Sequence, residues 1–153
     1  MLRETAERLR SHREDIEAAN ERDRDEDLGS AKKDRLRVDV EAIAKSLWSI
    51  AELPDPVGRV EERAGQGDFA LSRVRVSIGV ILMIFESRPN VTPEAGGLCL
   101  KSGNAALLKG GSEAIRTNEA MMNAMEAAYP PGAIQLVGGG HEDISALLEM
   151  DDV

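Results

Sequence analysis

An α/β architecture follows from three features of the sequence: a partial doubly wound parallel sheet with N-terminal helices and a β-hairpin arm. Residues 78–85 form an apolar run interrupted only by Gly79. They lack alternation, the pattern of a parallel strand covered on both faces. From this run onward, apolar segments alternate with helical ones in the order β, α, β, α, β, α, which calls for right-handed crossovers. Two glycine turns, Gly110-Gly111 and Gly138-Gly139-Gly140, each separate an apolar run from a helical segment. Open α/β sheets bind ligands at such strand-to-helix turns.

Composition narrows the function classes. The chain has 153 residues, enough for one domain or one domain with an extension. Lys and Arg number 19 against 28 Asp and Glu, a net charge of −9. That balance argues against a nucleic-acid binder held by phosphate neutralisation and favours a solvated acidic surface. Cys99 is the single cysteine, so no internal disulfide forms, and no signal peptide is recognisable; both fit a cytoplasmic protein. No stretch approaches the ~18 apolar residues of a membrane span. Asn90-Val91-Thr92 matches a glycosylation sequon, but Pro93 follows, and the match is read as chance.

The organisation reads as 1–53, an N-terminal helical segment; 54–76, a β-hairpin or oligomerisation arm; and 77–153, an α/β domain. In the first, Leu2, Ala6, Leu9, Ile16 and Ala19 give a thin apolar stripe that needs a partner surface, and Glu4 and Arg8 form an i, i+4 pair. The charged run 21–27 reads as a solvated loop or frayed end. Leu28-Gly29 is a break, and Ser30 caps a short turn. A second helix is expected over 38–51, with Trp48 as a core or interface anchor, ended by Pro54-Asp55-Pro56. Residues 57–61 and 70–76 read as strands joined by the turn 63–68, the second wet on one face. After the strand at 78–85, Asn90 begins a buried helix closed by Ser102-Gly103-Asn104. A strand over 105–108, a helix over 113–128 capped by Ser112 with Ile115, Met122 and Met125 on one face, a strand over 133–137 and a helix from His141 complete the chain.

Three groups of residues carry candidate chemistry. Lys109-Gly110-Gly111-Ser112 lets backbone N–H groups approach a phosphate, and Lys109 offers a fixed cation. The G-x-G-x-x-G spacing is absent, so a tight connection and a nucleotide site both remain open. Asn90 is a good helix cap, yet its amide can equally donate to a developing oxyanion, with Arg88 beside it for an acidic substrate. Cys99 lies on the apolar side of a helix and reads as an inert thiol. His12 and His141 have no metal-ligand partners at useful spacing, and no metal site is expected.

The segment IGVILMIFESRPNVTPEAGGLCLKSGNAALLKGGSEAIRTN (78–118) resembles the core signature of the gamma-glutamyl phosphate reductase (glutamate-5-semialdehyde dehydrogenase) family of the aldehyde dehydrogenase superfamily. IEAANERD (16–23), ELPDPVG (52–58), PPGAIQLV (130–137) and LLEMDD (147–152) fit the same family in order. The resemblance implies that 77–153 is an incomplete, Rossmann-type NADP-binding α/β domain, and it implies NADPH-dependent reduction of gamma-glutamyl phosphate to glutamate-5-semialdehyde in proline biosynthesis. By it, Asn90 is the oxyanion donor and Lys109 contacts the adenosine ribose. Ser112 stands where NAD-preferring relatives carry an acid, with Glu113 one residue further on. Arg116 is our own addition, as a second cation for the 2′-phosphate of NADP. The resemblance further implies that the nucleophilic cysteine belongs to a catalytic domain outside these residues, and that Cys99 is not it. A chain of this extent is expected to be inactive alone, to act alternatively as a nucleotide-binding or oligomerisation module, and to self-associate or form a homo-oligomer.

Overall fold

The computed structural model describes residues 1–26, 30–63, 65, 67, 69–138 and 141–150, with backbone only at 30, 32 and 141–143. The expected break at Leu28-Gly29, the Ser30 cap, much of the 63–68 turn, Gly139-Gly140 and the His141 side chain lie outside the described residues.

Four helices come first: α1 (Leu2–Ser11), α2 (Arg13–Arg24), α3 (Ser30–Arg35) and α4 (Val40–Glu52). The N-terminal stripe forms as its spacing requires, and Leu2, Ala6, Leu9, Ile16 and Ala19 are all buried. The Glu4–Arg8 pair closes at 3.2 Å. Helix α2 continues to Arg24, so the expectation of a solvated loop or frayed end over 21–27 fails for 21–24, which are helical with Asp23 buried, while Asp25 and Glu26 form an exposed turn. Asn20 and Asp23 extend the stripe of Ile16, one helical turn at a time. Asp39 caps α4, its carboxylate accepting from the Ala42 N–H at 2.9 Å. Trp48 is half-buried under the Arg3 guanidinium, 4.7 Å from its ring centre.

The arm is an antiparallel pair, β1 (Val60–Arg63) and β2 (Leu71–Val74), with Val60 opposite Val74. β1 starts later than expected because Asp55 accepts from the Val57 N–H and Gly58 turns at φ 77°. The three-stranded sheet follows: β3 (Val80–Ile84), β4 (Ala105–Lys109) and β5 (Ile134–Leu136), parallel and in the order β3-β4-β5. Helix α5 (Val91–Lys101) links β3 to β4. A 3-10 turn (Ser112–Ala114), α6 (Ile115–Met125) and a second 3-10 turn (Glu126–Ala128) link β4 to β5, and α7 (His141–Leu148) comes last.

One hydrophobic core joins α1, α2, α4, α5 and α6 to the sheet face formed by Ile81, Met83, Ala106, Leu108 and Ile134. Two glycines in α5 set its depth. A Cβ on Gly96 would run into Ile134, and one on Gly97 would lie 2.9 Å from Leu47 of α4. Asn104 is buried and accepts from the N–H groups of Ile78 and Gly79 at 2.6 and 2.9 Å, which fixes where β3 begins.

The expectation that 78–85 is covered on both faces is not met. The face of β3 turned away from the core stays open, with Val80 37% and Ile84 48% exposed, and Ile78 just before the strand is 83% exposed. Ile115 also departs from expectation. It is exposed, and Met121 takes the buried place beside Met122 and Met125. The helix starts as a 3-10 turn, which rotates Ile115 off the core face.

Candidate active site

The parallel register places Ile84 opposite Lys109 and Leu108 opposite Leu136. The turns after all three strands therefore gather at one end of the sheet, where strand carboxyl ends create a binding crevice.

At the second turn, Lys109, Gly110, Gly111 and Ser112 line one cleft of about 430 Å³ between α6 and the edge strand β5. Ile115, Met122, Ile134 and Leu136 give it apolar walls; Asn118, Glu119, Asn123 and Gln135 add polar groups. This volume lies in the range of small-molecule and cofactor sites. The glycines are required by space, since neither has a positive φ. A Cβ on Gly110 would overlap the Asn118 amide and press on Phe85, and one on Gly111 would lie 2.7 Å from Ser87 Oγ. The Lys109 ammonium donates to the Gly110 carbonyl at 3.0 Å, folded back over the turn.

Ser112 does not cap the helix as expected. Gly111 holds the cap position in extended conformation, and Ser112 is already the first residue of the 3-10 turn. The cap of α6 comes from another element. The buried Asp23 carboxylate, 1% exposed, accepts from the Thr117 N–H at 2.8 Å and the Thr117 hydroxyl at 2.6 Å. An anion there also meets the positive end of the helix dipole. Asp23 and Glu26 both bind the Arg116 guanidinium, at 3.1 and 2.7 Å, and raise its pKa; the hydrogen bond to Glu26 is the larger cause. Arg116 is thus directed to α2 and is not among the residues lining the cleft.

At the first turn, Asn90 stands at the start of α5 but its side chain does not cap it. The reason is local. The N–H groups of Val91 and Thr92 are already taken by the carbonyls of Arg88 and Pro89, both at 3.0 Å. Asn90 Oδ1 is enclosed without a hydrogen-bond partner. The orphaned atom is an acceptor, and Arg24 Nε and Trp48 Nε1 are orphaned likewise, so the missing partner assigns the amide no role by itself. Arg88, two residues earlier, is exposed.

The two turns are tied together twice. Ser87 Oγ donates to Glu113 Oε2 at 2.6 Å, and Thr92 Oγ1 donates to Asn118 Oδ1 at 2.8 Å, the latter pair buried. Sequence reasoning missed Asp23, Ser87, Thr92 and Asn118. Only Asp23 gave a signal, through its place on the stripe of Ile16 and Asn20.

Cys99 is 4% exposed, and burial pushes its thiol above the usual range. Among the described residues no cluster of His, Cys, Asp and Glu could hold a metal ion, and no helix is long and apolar enough to cross a membrane.

The mixed helix and strand fold with its parallel sheet matches aldehyde-dehydrogenase-like structures. Succinic semialdehyde dehydrogenase from Streptococcus pyogenes, solved in complex with NADP+, superposes on 99% of this chain with a TM-score of 0.78. At 19% identity, that likeness shows the fold alone. Gamma-glutamyl phosphate reductase from Thermotoga maritima covers 94% of the chain with a TM-score of 0.85 and 33% identity. Among curated relatives, the gamma-glutamyl phosphate reductases of Thermoanaerobacter sp. (strain X514) and Heliobacterium modesticaldum are 39% and 41% identical over 99% and 90% of this chain. The chain belongs to the gamma-glutamyl phosphate reductase family. It spans 38% and 36% of the length of those two relatives. No protein-family model matches it.

Proposed function

We propose that this chain is the cofactor-binding part of an NADPH-dependent reductase that converts gamma-glutamyl phosphate to glutamate-5-semialdehyde in cytoplasmic proline biosynthesis. The cleft beside Lys109 supports this reading most strongly. Lys109, Gly110, Gly111 and Ser112 line it, and its volume suits part of a dinucleotide. The names of the relatives supply the substrate.

Bound NADPH supplies hydride. The roles of the chain follow from its own groups. Lys109 neutralises ribose or phosphate oxygens at the mouth of the cleft. Gly110 and Gly111 line the cleft beside it, and Ser112 places a small hydroxyl where a 2′-phosphate needs room. The Asn90 amide donates to the substrate carbonyl oxygen as negative charge develops there. Arg88 pairs with the acidic substrate. The attacking thiol is not supplied by these 153 residues, because Cys99 is buried with its thiolate disfavoured.

Titration of the chain with NADPH tests the proposal. Saturable binding, weakened about tenfold by Lys109→Ala, is the expected result, the ~1.4 kcal/mol of one charge-assisted contact. Equal affinities would remove Lys109 from the site. The chain alone should show no turnover of pyrroline-5-carboxylate with NADP; measurable turnover would contradict the assignment of Cys99.

A second reading, a non-catalytic nucleotide-binding or oligomerisation module, is favoured by the arm. Phe69 is 83% exposed, and Leu71, Val74 and Val76 are open beside it. Apolar surface on a two-stranded ribbon invites association. Sedimentation should show concentration-dependent self-association, reduced by Leu71→Lys.

A further inference from the structure

One polar side chain at the cleft has a donor to spare. Glu119, Asn123, Glu126 and Gln135 line the cleft from exposed positions, whereas Asn118 lines it at 2% exposure. One end of the Asn118 amide is committed. Its Oδ1 accepts from the buried Thr92 hydroxyl of α5 at 2.8 Å. That bond sets which way the amide faces, because turning it over would leave the hydroxyl proton without its acceptor. The other end, Nδ2, makes no hydrogen bond among the described residues. Unlike Asn90 Oδ1, it is not sealed inside the protein. It lies against Gly110, where an added Cβ would overlap it. The Lys109 ammonium rests on the Gly110 carbonyl at 3.0 Å. A cationic donor and a neutral donor therefore flank the same cleft-lining glycine.

A nearly buried amide with an unspent N–H₂ is costly unless something accepts from it. We propose that Asn118 is a cofactor-binding residue: its Nδ2 donates to an acceptor oxygen of the dinucleotide at Gly110, and Thr92 is the positioning residue that aims it. The inference rests on the cofactor reading above and deepens it. Thr92 does not touch the cofactor in this account; it acts through the Asn118 amide. A solvent molecule held at Nδ2 with no ligand role is the competing outcome, and it leaves cofactor affinity independent of Asn118.

The test is a titration of the 153-residue chain with NADPH, with thermal melts alongside. The variants are Asn118→Asp, Asn118→Ala, Thr92→Val, Thr92→Ser and Thr92→Val with Asn118→Ala. Asn118→Asp keeps an acceptor for the Thr92 hydroxyl and removes the donor. Asn118→Ala removes both without adding charge. Each should weaken NADPH binding, the alanine by about three- to tenfold, the span of one hydrogen bond. Thr92→Val should weaken it by about two- to fivefold, and Thr92→Ser, which keeps the hydroxyl, should restore wild-type affinity. Adding Thr92→Val to Asn118→Ala should change affinity no further, because Thr92 acts only through the amide. A purely structural role predicts lower melting temperatures with unchanged affinity of the folded chain, which overturns the proposal. If the Asn118 variants do not fold, the Thr92 pair decides: equal affinities for Thr92→Val and Thr92→Ser overturn it. If wild type binds no NADPH, the cofactor reading falls and this inference with it. If wild type binds NADPH and loses affinity with Lys109→Ala but not with Asn118→Ala, only this inference falls.

Discussion

The turns after β3 and β4 occupy equivalent places in the sheet and solve different problems. The first, 86–90, presents side chains. Arg88 is exposed, and the Asn90 amide is not committed to the helix it precedes, because backbone carbonyls already serve that helix. The second, 109–112, presents space. Its glycines let Asn118, Phe85 and Ser87 pack directly against the backbone beside the cleft, and its helix is capped from outside by Asp23. A turn that keeps its asparagine out of capping and a turn that borrows its cap are complementary. In both, the first turn of the helix is served by groups other than the side chain expected to cap it.

The largest effect should follow from filling the second turn. Gly110→Val would displace Asn118 and Phe85 and disturb the buried Thr92–Asn118 bond. A loss of about 2–4 kcal/mol is expected from overpacking and the unpaired hydroxyl together, with no NADPH binding. Thermal melting and titration would check it. A valine tolerated with full affinity would show that the turn needs no close approach.

Asp23→Ala should come next. It leaves the buried Thr117 N–H and hydroxyl without an acceptor, costing about 1–3 kcal/mol by denaturant unfolding. If the cap positions the turn, NADPH affinity falls as well, although Asp23 does not line the cleft. A stability loss with unchanged affinity would separate the two.

The smallest stability effect belongs to the first turn and is informative for being small. Asp39→Ala removes a true cap of α4 and should cost about 1 kcal/mol. Asn90→Ala should cost under about 0.5 kcal/mol, since its side chain caps nothing. A cost equal to that of Asp39→Ala would return Asn90 to a structural role.

Much of this was legible in the sequence. The alternation of apolar runs and helical patterns located β3, β4, β5 and the helices between them. The 109–112 turn was marked by its glycines, and the N-terminal stripe reported its own burial. The errors have two causes, local backbone geometry and the use of a residue by a distant segment. Capping by Asn90 and Ser112 was expected from residue type, but competing carbonyls and a 3-10 start took those roles. Arg116 was expected at a phosphate; Asp23 and Glu26, some ninety residues earlier, hold it instead. The run containing Asp23 looked like solvated charge because composition cannot show that one of its carboxylates lies over a helix end. Coverage of β3 was inferred from its apolar run alone, whereas one face of the strand is open in this chain.

Hydrogen exchange with and without NADPH tests the contrast between the two turns most directly. The account predicts slowed exchange at Gly110, Gly111 and Ser112, which line the cleft, with no change in the β1–β2 arm. Protection confined to the arm, or no protection at the 109–112 turn under saturating NADPH, would contradict it.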